Sequence, residues 1–356
     1  MVSVSHVLIV GQGLGGTLLG WQLEQAGIPF KVVQSYPRRT ASLVSAGMVD
    51  PISGQRFALA HRAVDTISLA RRWYEVLEAE LNMPLISDYP IWRLFRHIQD
   101  YEYYQKKKGV LSAYIEQELT DVRPYLSSKY GGIVVNGFQI NVSPIIRYFE
   151  SKWTQSSTLI RGHCHRRDIR IHGQGIEWNG VEADLCIDCG GFESEKGYFD
   201  WLPYRLSRGD VLIGESDRLL PERVVNNGYW FRPMGAHSFQ FGASYAWDSL
   251  TRIEAGHVHL LQDALTALWP YPYRIVRIDS GVRQMVADAK PVIGRHPDVA
   301  SMGIMGGVGS KGTQWYPYLV NEWMNAIRYG LQPPDDCNVA RFKGSKPFYN
   351  PQGIRP

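Results

Sequence analysis

His6-Val7-Leu8-Ile9-Val10-Gly11-Gln12-Gly13-Leu14-Gly15-Gly16 is the stretch whose reading decides the fold. Val7 to Val10 are four consecutive apolar residues, the pattern of a strand buried on both faces in a parallel sheet. Gly11, Gly13 and Gly16 follow in G-x-G-x-x-G spacing and open a helical pattern. Glycines so placed serve a tight turn, the approach of bare backbone to a pyrophosphate, and close helix–strand packing. The amides at a helix start, together with its dipole, suit a diphosphate. The spacing alone also describes a glycine-rich turn without a ligand; the strand before it and the helix after it favour the dinucleotide reading.

Working outward, Thr17 to Ala26 carries Leu18, Leu19 and Leu23 at helical spacing and stops at Gly27. Ile28 to Val33 is a second strand, which completes a βαβ unit with an expected right-handed crossover. Gln34 then stands where a dinucleotide fold usually carries an acid for the adenosine ribose. Its amide can donate and accept to ribose hydroxyls but has no charge to repel a 2′-phosphate, so it does not discriminate between nicotinamide cofactors.

A chain of 356 residues exceeds one simple core, so one large or two interleaved domains are expected. With 44% hydrophobic and 20% charged residues, the composition is that of a soluble globular enzyme. The net charge of +4 is scattered. Lys106-Lys107-Lys108 is the densest basic run and reads as a solvated helix face, which argues against a nucleic-acid partner. Eleven Trp and twenty Tyr favour aromatic-lined pockets or a large interface, and an oligomer is compatible with them. The start of the chain has no basic segment followed by a signal-peptide core, and no apolar run reaches transmembrane length.

Cysteines are few: Cys164, Cys186, Cys189 and Cys337. Cys186 and Cys189 have C-x-x-C spacing, but on a strand residues three apart face opposite sides, which disfavours a shared metal or a disulfide. They read as small core residues in a reducing, cytoplasmic setting. His163 and His165 flank Cys164 with no third ligand nearby, so no metal site is assigned.

Further along, Arg38 to Gly54 is small, polar and glycine-bearing, a loop suited to approach a ligand. Arg62 to Leu81 reads as a helix, Pro84 to Gly109 as a strand followed by a helix, and Gly131 to Gly137 as a short strand. Val142 to Trp153 is a helix with Ser143 as candidate N-cap and Pro144 at its first position. Short strands at 159–161, 169–171 and 175–178 lead to a buried strand, Ala183 to Asp188, and a second glycine turn, Cys189-Gly190-Gly191. Asp210 to Gly214, Tyr229 to Arg232 and Phe239 to Ala243 alternate like antiparallel strands. His257 to Trp269 is an amphipathic helix. Gly303 to Gly307 is a third strand-to-glycine junction, Gly312 to Tyr329 a final helix, and the chain from Gln332 an extended tail.

These matches, taken in order, resemble the D-amino-acid oxidase/glycine oxidase family of FAD-dependent oxidoreductases over roughly residues 5 to 330. Ala41 to Pro51 is similar to the family's small-residue loop beside the flavin ring. Val134-Val135-Asn136-Gly137 to Pro144, Ala183 to Gly191 and Leu206 to Val211 each resemble a family segment. The most specific match is Gly281 to Arg295, similar to G-x-R-P-x-x-x-D-x-x-P-x-I-G; Gly306 to Gly312 resembles the C-terminal glycine-rich loop against the flavin.

The resemblance implies FAD as cofactor and oxidation of a C–N bond by hydride transfer to flavin, with an amino acid or other small amine as substrate. It implies an α/β (α+β overall) fold: a Rossmann-like FAD-binding domain with an inserted, mainly antiparallel-sheet substrate domain. The expected FAD-binding pieces are 1–83, 131–200 and 280–332, the substrate or cap pieces 84–130 and 201–279, and the tail 333–356. Expected cofactor-binding residues are Gly11, Gly13, Leu14, Gly15, Gly16, Gln34, Ser35, Ser45, Ala46, Gly47, Met48, Gly190, Gly191, Gly307, Gly309, Ser310, Lys311, Gly312 and Thr313. Expected catalytic residues are Arg283, Lys311 and Tyr229.

Arg283 matches the arginine that binds the substrate carboxylate in the glycine oxidase branch, a role suited to a planar charged fork; a structural ion pair is the competing role. Lys311 would stabilise negative charge on reduced flavin or a peroxide, or is a solvated loop lysine. Tyr229 and Trp230 are candidates for the pocket wall or for core packing.

Three departures from the family pattern stand out. The ribose acid is Gln34, Ser310 stands where the family has a second carboxylate-binding arginine, and the C-terminal glycine loop has no Cys for covalent flavin attachment. The bacterial wobble-uridine modification enzymes have a flavin domain with a similar G-S-[KR]-G-type loop, so a tRNA-modifying oxidoreductase is an alternative. A catalytically silent FAD-binding subunit of a complex is another, motivated by Gln34 and Ser310.

Overall fold

The computed structural model describes residues 4–36, 40–122, 129–173, 175–247 and 249–344, without the side chains of 195 and 196. The chain forms two compact units, one from 1–43, 142–207 and 282–356, the other from 44–141 and 208–281.

The first unit is built on a six-stranded sheet. Its elements are β1 (Val7–Val10), α1 (Leu14–Gln25), β2 (Phe30–Gln34), α2 (Val142–Gln155) and β3 (Leu159–Arg161). They continue with β4 (Leu185–Asp188), β5 (Val292–Arg295), β6 (Met302–Gly306) and α3 (Gly312–Tyr329). The strand order is β3-β2-β1-β4-β6-β5. All neighbours are parallel except β5, which runs antiparallel to β6. Val7, Leu8 and Ile9 are fully buried, as a central parallel strand requires.

Helix α1 ends where Ala26 gives way to Gly27, whose positive φ of 65° is the left-handed turn that glycine tolerates. Helix α2 starts at Val142, so Ser143 lies inside its first turn rather than capping it. A short antiparallel sheet, 169–172, 175–178 and 181–183, packs Ile169, Ile176 and Trp178 against Leu8, Val33 and Cys186. All four cysteines are free, with Cys186 and Cys337 buried. Burial pushes the Cys164 thiol up to about 12.

An eight-stranded sheet runs in the order 274–286, 204–215, 238–242, 230–233, 224–226, 91–94, 132–135 and 115–119; all of it belongs to the second unit except residues 204–207 and 282–286. Its registered pairs are antiparallel except Val224–Asn226 beside Ile91–Leu94. Phe231, Phe239, Phe241, Leu261, Leu265 and Trp269 fill the core between sheet and helix Ala255–Leu268. Arg208 is buried here with one guanidinium edge on Asp210, Nε and Nη2 donating to its two carboxylate oxygens at 2.9 and 3.1 Å.

This division differs from the expected boundaries. Residues 44–83 and 131–141 belong to the second unit. The reason is strand pairing: Met48–Val49 and Ile86–Ser87 both pair with Phe138–Ile140, and Gly132–Val135 pairs with Ile91–Leu94. The loop expected over 38–54 contains a short helix, Ala41–Val44, and two short strands; Arg38 and Arg39 lie outside the described residues.

Residues 201–207 and 333–344 fall in the first unit. There Leu202, Val286, Val292, Ile304 and Val339 share one core, and the Ile293 amide donates to the Cys337 carbonyl at 2.9 Å. The expected tail is therefore packed over its described part, and 345–356 lie outside the described residues. No helix among the described residues is long and apolar enough to cross a membrane.

Candidate active site

The C-terminal ends of the adjacent parallel strands β2, β1, β4 and β6 lie side by side, and three of them run into glycine turns. Gly11 and Gly13 follow β1, Gly190 and Gly191 follow β4, and Gly307 and Gly309 follow β6. In open α/β sheets this edge is where a nucleotide is bound. The first unit thus brings together most of the expected cofactor residues.

Their tasks differ. A Cβ at Gly11 would stand 2.7 Å from the Cys189 carbonyl oxygen, and one at Gly16 would stand 2.0 Å from the Gly11 carbonyl oxygen. A Cβ at Gly15 would meet the Tyr316 ring at 2.5 Å. These three glycines let the turn, β4 and the two helices pack closely. Gly13 is different: its Cβ would meet only Ser42 Oγ, at 3.3 Å, and a Cβ at Gly191 would meet nothing within 4 Å. Bare backbone at a helix start, met by one side-chain oxygen, with open space at Gly191 beside it, is the cradle a diphosphate needs.

The first-turn amides are not all available. Leu14 N–H donates to Ser42 Oγ at 3.1 Å. Gln34 is buried and engaged at both ends of its amide: Oε1 accepts from the Gln12 N–H at 2.7 Å, and Nε2 donates to the Ser35 carbonyl at 2.8 Å. Its observed work is to hold the glycine turn. Ser35 Oγ donates to the Glu193 carboxylate at 3.3 Å, which puts an exposed acid beside the end of β2. Glu193 was not foreseen, because it follows the second glycine turn rather than β2.

At the end of β4, Asp188 Oδ1 accepts from the Gly190 N–H at 2.8 Å and from Ser194 Oγ at 2.7 Å. Burial pushes this carboxyl upward, opposed by those two hydrogen bonds. Gly307 donates to Gln284 Oε1 at 3.1 Å and Gly309 to the Gln284 carbonyl at 2.9 Å. Ser310 is exposed, half-buried Lys311 is the N-cap residue of α3, and Gly312 and Thr313 form its first turn. Arg283 is half-buried on the strand Arg274–Val286, one residue before Gln284.

The other expected residues lie in the second unit. Ala46 is buried, and Gly47, at φ 67°, would bring a Cβ within 1.9 Å of the Ile140 carbonyl oxygen, so close packing on that strand requires glycine there. Met48 pairs with Gln139, and half-buried Ser45 precedes them. Tyr229 packs its ring 5.7 Å from that of Phe241, against the sheet core. Half-buried Trp230 begins its strand beside it.

The family model "DAO: FAD dependent oxidoreductase" matches residues 6–319. Among solved structures, glycine oxidase from Geobacillus kaustophilus is similar with a TM-score of 0.77 at 19% identity, over 92% of this chain and 95% of that one. Iminodiacetate oxidase from Chelativorans sp. BNC1 gives 0.75 at 18% identity, over 92% and 96%. L-proline dehydrogenase from P. horikoshii gives 0.77 at 12%, over 98% and 100%. Among curated proteins, the tRNA 5-methylaminomethyl-2-thiouridine biosynthesis bifunctional protein MnmC of Acinetobacter baylyi is 23% identical over 97% of this chain. The chain spans 58% of that relative's length.

Proposed function

Because the chain belongs to the family of FAD dependent oxidoreductases, we propose that it oxidises a C–N bond of an amino acid or other small amine. The observation that carries this reading is the row of glycine turns at the C-terminal ends of β1, β4 and β6, with Gly13 and Gly191 open to a ligand. FAD bound there supplies the hydride acceptor.

In this reading the first unit holds the flavin and carries Arg283. Gly13 and the remaining first-turn amides of α1 face the pyrophosphate, and the turns at 190–191 and 307–313 face the rest of the cofactor. Arg283 holds the substrate carboxylate through two parallel hydrogen bonds and so fixes which C–H is presented. Lys311 places positive charge where negative charge develops. Glycine, iminodiacetate and L-proline, which name three of the similar proteins, are all carboxylated amines, and this supports the role of Arg283.

Kinetics of Arg283→Ala and Arg283→Lys test it. The alanine variant should lose about 10–100-fold in kcat/KM on a carboxylated amine, the worth of a charged hydrogen-bond pair, and far less on an amine without the carboxylate. Equal losses on both substrates would remove the carboxylate role.

A second reading rests on the match to the tRNA-modification protein: the amine is part of a tRNA nucleoside. Binding of unmodified tRNA that weakens steeply with salt would favour it, and no binding at low salt would remove it.

A further inference from the structure

Two glycine turns leave neighbouring strands of the first unit, 189–191 after β4 and 307–309 after β6. Pairing of those strands stops at Asp188 and Ile304, so the ladder does not fasten the turns to each other. One side chain does. Gln284 Nε2 donates to the Gly191 carbonyl at 2.5 Å, and Gln284 Oε1 accepts from the Gly307 N–H at 3.1 Å. The main-chain carbonyl of Gln284 accepts from the Gly309 N–H at 2.9 Å, and Met285 forms an antiparallel bridge with Val308.

The fit is tight. Gln284 is 6% exposed, and a Cβ on Gly306 would stand 2.7 Å from its Oε1, so glycine at 306 is what lets the amide seat. Gly191 and Gly307 have φ of 64° and 73° and no side chains to hold them, so untethered turns of this kind have the most conformational freedom to lose. A neutral amide offers a donor and an acceptor at one tip. Leucine offers neither, and an ionised glutamate only acceptors.

We propose that Gln284 is a positioning residue for the flavin: it clasps the two turns into one arrangement before FAD arrives, so that binding need not order them. This rests on the flavin reading of the glycine turns. Because Gln284 directly follows Arg283, the clasp also anchors the strand segment that presents the arginine.

Hydrogen exchange on the wild-type apoprotein tests the clasp without any ligand. The Gly307 and Gly309 amides should be protected, and exchange at the rate of an open loop overturns the proposal. FAD titration of the apoprotein, read by flavin fluorescence, tests the consequence. Gln284→Leu should weaken binding by about tenfold or more, because the buried Gly307 N–H and the partly buried Gly191 carbonyl lose their side-chain partner.

Gln284→Glu should bind weakly at about pH 8 and recover toward wild type at about pH 5, where a protonated carboxyl regains a donor; wild type should be flat. Equal affinities in all three proteins overturn the proposal. If the leucine variant does not fold, the glutamate series decides: a mutant-to-wild-type ratio that is the same at both pH values overturns it. Failure of wild type to bind FAD would instead remove the flavin reading, and the exchange measurement would still decide the clasp.

Discussion

The Gly11 carbonyl oxygen lies 2.0 Å from where a residue at 16 would place its Cβ, so packing against Gly11 by itself requires glycine at 16. A methyl group at Gly13 would press only on one side-chain atom, Ser42 Oγ at 3.3 Å, which must give by a few tenths of an ångström, and its φ of −72° suits any residue. The two glycines of one fingerprint are therefore separable. Gly16→Ala should destabilise the apoprotein by about 1–3 kcal/mol or more, since backbone must move. Gly13→Ala should stay within about 1 kcal/mol of wild type in denaturant unfolding while losing FAD affinity. A Gly13→Ala protein that binds FAD as wild type does would place the pyrophosphate elsewhere.

Gln34 is bound to main chain at both ends of its amide, and the bond from the Gln12 N–H is buried. Gln34→Leu should lower apoprotein stability by about 1–3 kcal/mol, the penalty for a buried amide left unpaired. Gln34→Glu keeps the acceptor and should be milder. Unfolding curves that superimpose for wild type and the leucine variant would show that the Gln12 bond contributes nothing.

Asp188 yields a pH prediction. Burial raises its carboxyl above the unfolded value, so the folded protein binds this proton more tightly than the unfolded chain does. The contribution to stability is fully present below the unfolded value of about 4 and is lost as pH rises through the higher folded value. Asp188→Asn keeps an Oδ1 acceptor for Gly190 and Ser194 without a buried charge. Its melting temperature should exceed wild type at neutral pH, with the advantage shrinking as pH falls through the carboxyl's titration. An advantage that grows on acidification would contradict the burial argument.

Much of the first unit was legible in the sequence. The apolar run Val7–Val10 fixes a buried strand, Gly27 marks the end of α1, and the helix expected over 312–329 is the one observed. What was not legible depends on partners far along the chain. Met48–Val49 is a strand of two residues, too short for any periodicity, and it exists because Phe138 and Gln139 pair with it. For that reason 44–83 group with the second unit rather than with the expected FAD-binding pieces.

The candidate site divides in the same way. The fingerprint glycines announce themselves by spacing, but it takes the packing around each to separate Gly13 from Gly11, Gly15 and Gly16. Gln34 reads as a ribose partner from its position, and in the structure its amide braces the turn. Gln284 sits beside Arg283 in the most family-like stretch, yet its contacts to Gly191 and Gly307 leave no local signature.

The central claim, a flavin that takes electrons from a carboxylated amine, is tested most directly by anaerobic titration of the FAD-loaded protein. Glycine, iminodiacetate and L-proline would be added in turn while the visible flavin band is followed. At least one should fade the band, and Arg283→Ala should need a much higher concentration of the same amine. A band that no amine changes, while a chemical reductant bleaches it fully, would contradict the account and leave a flavin-binding protein without amine chemistry.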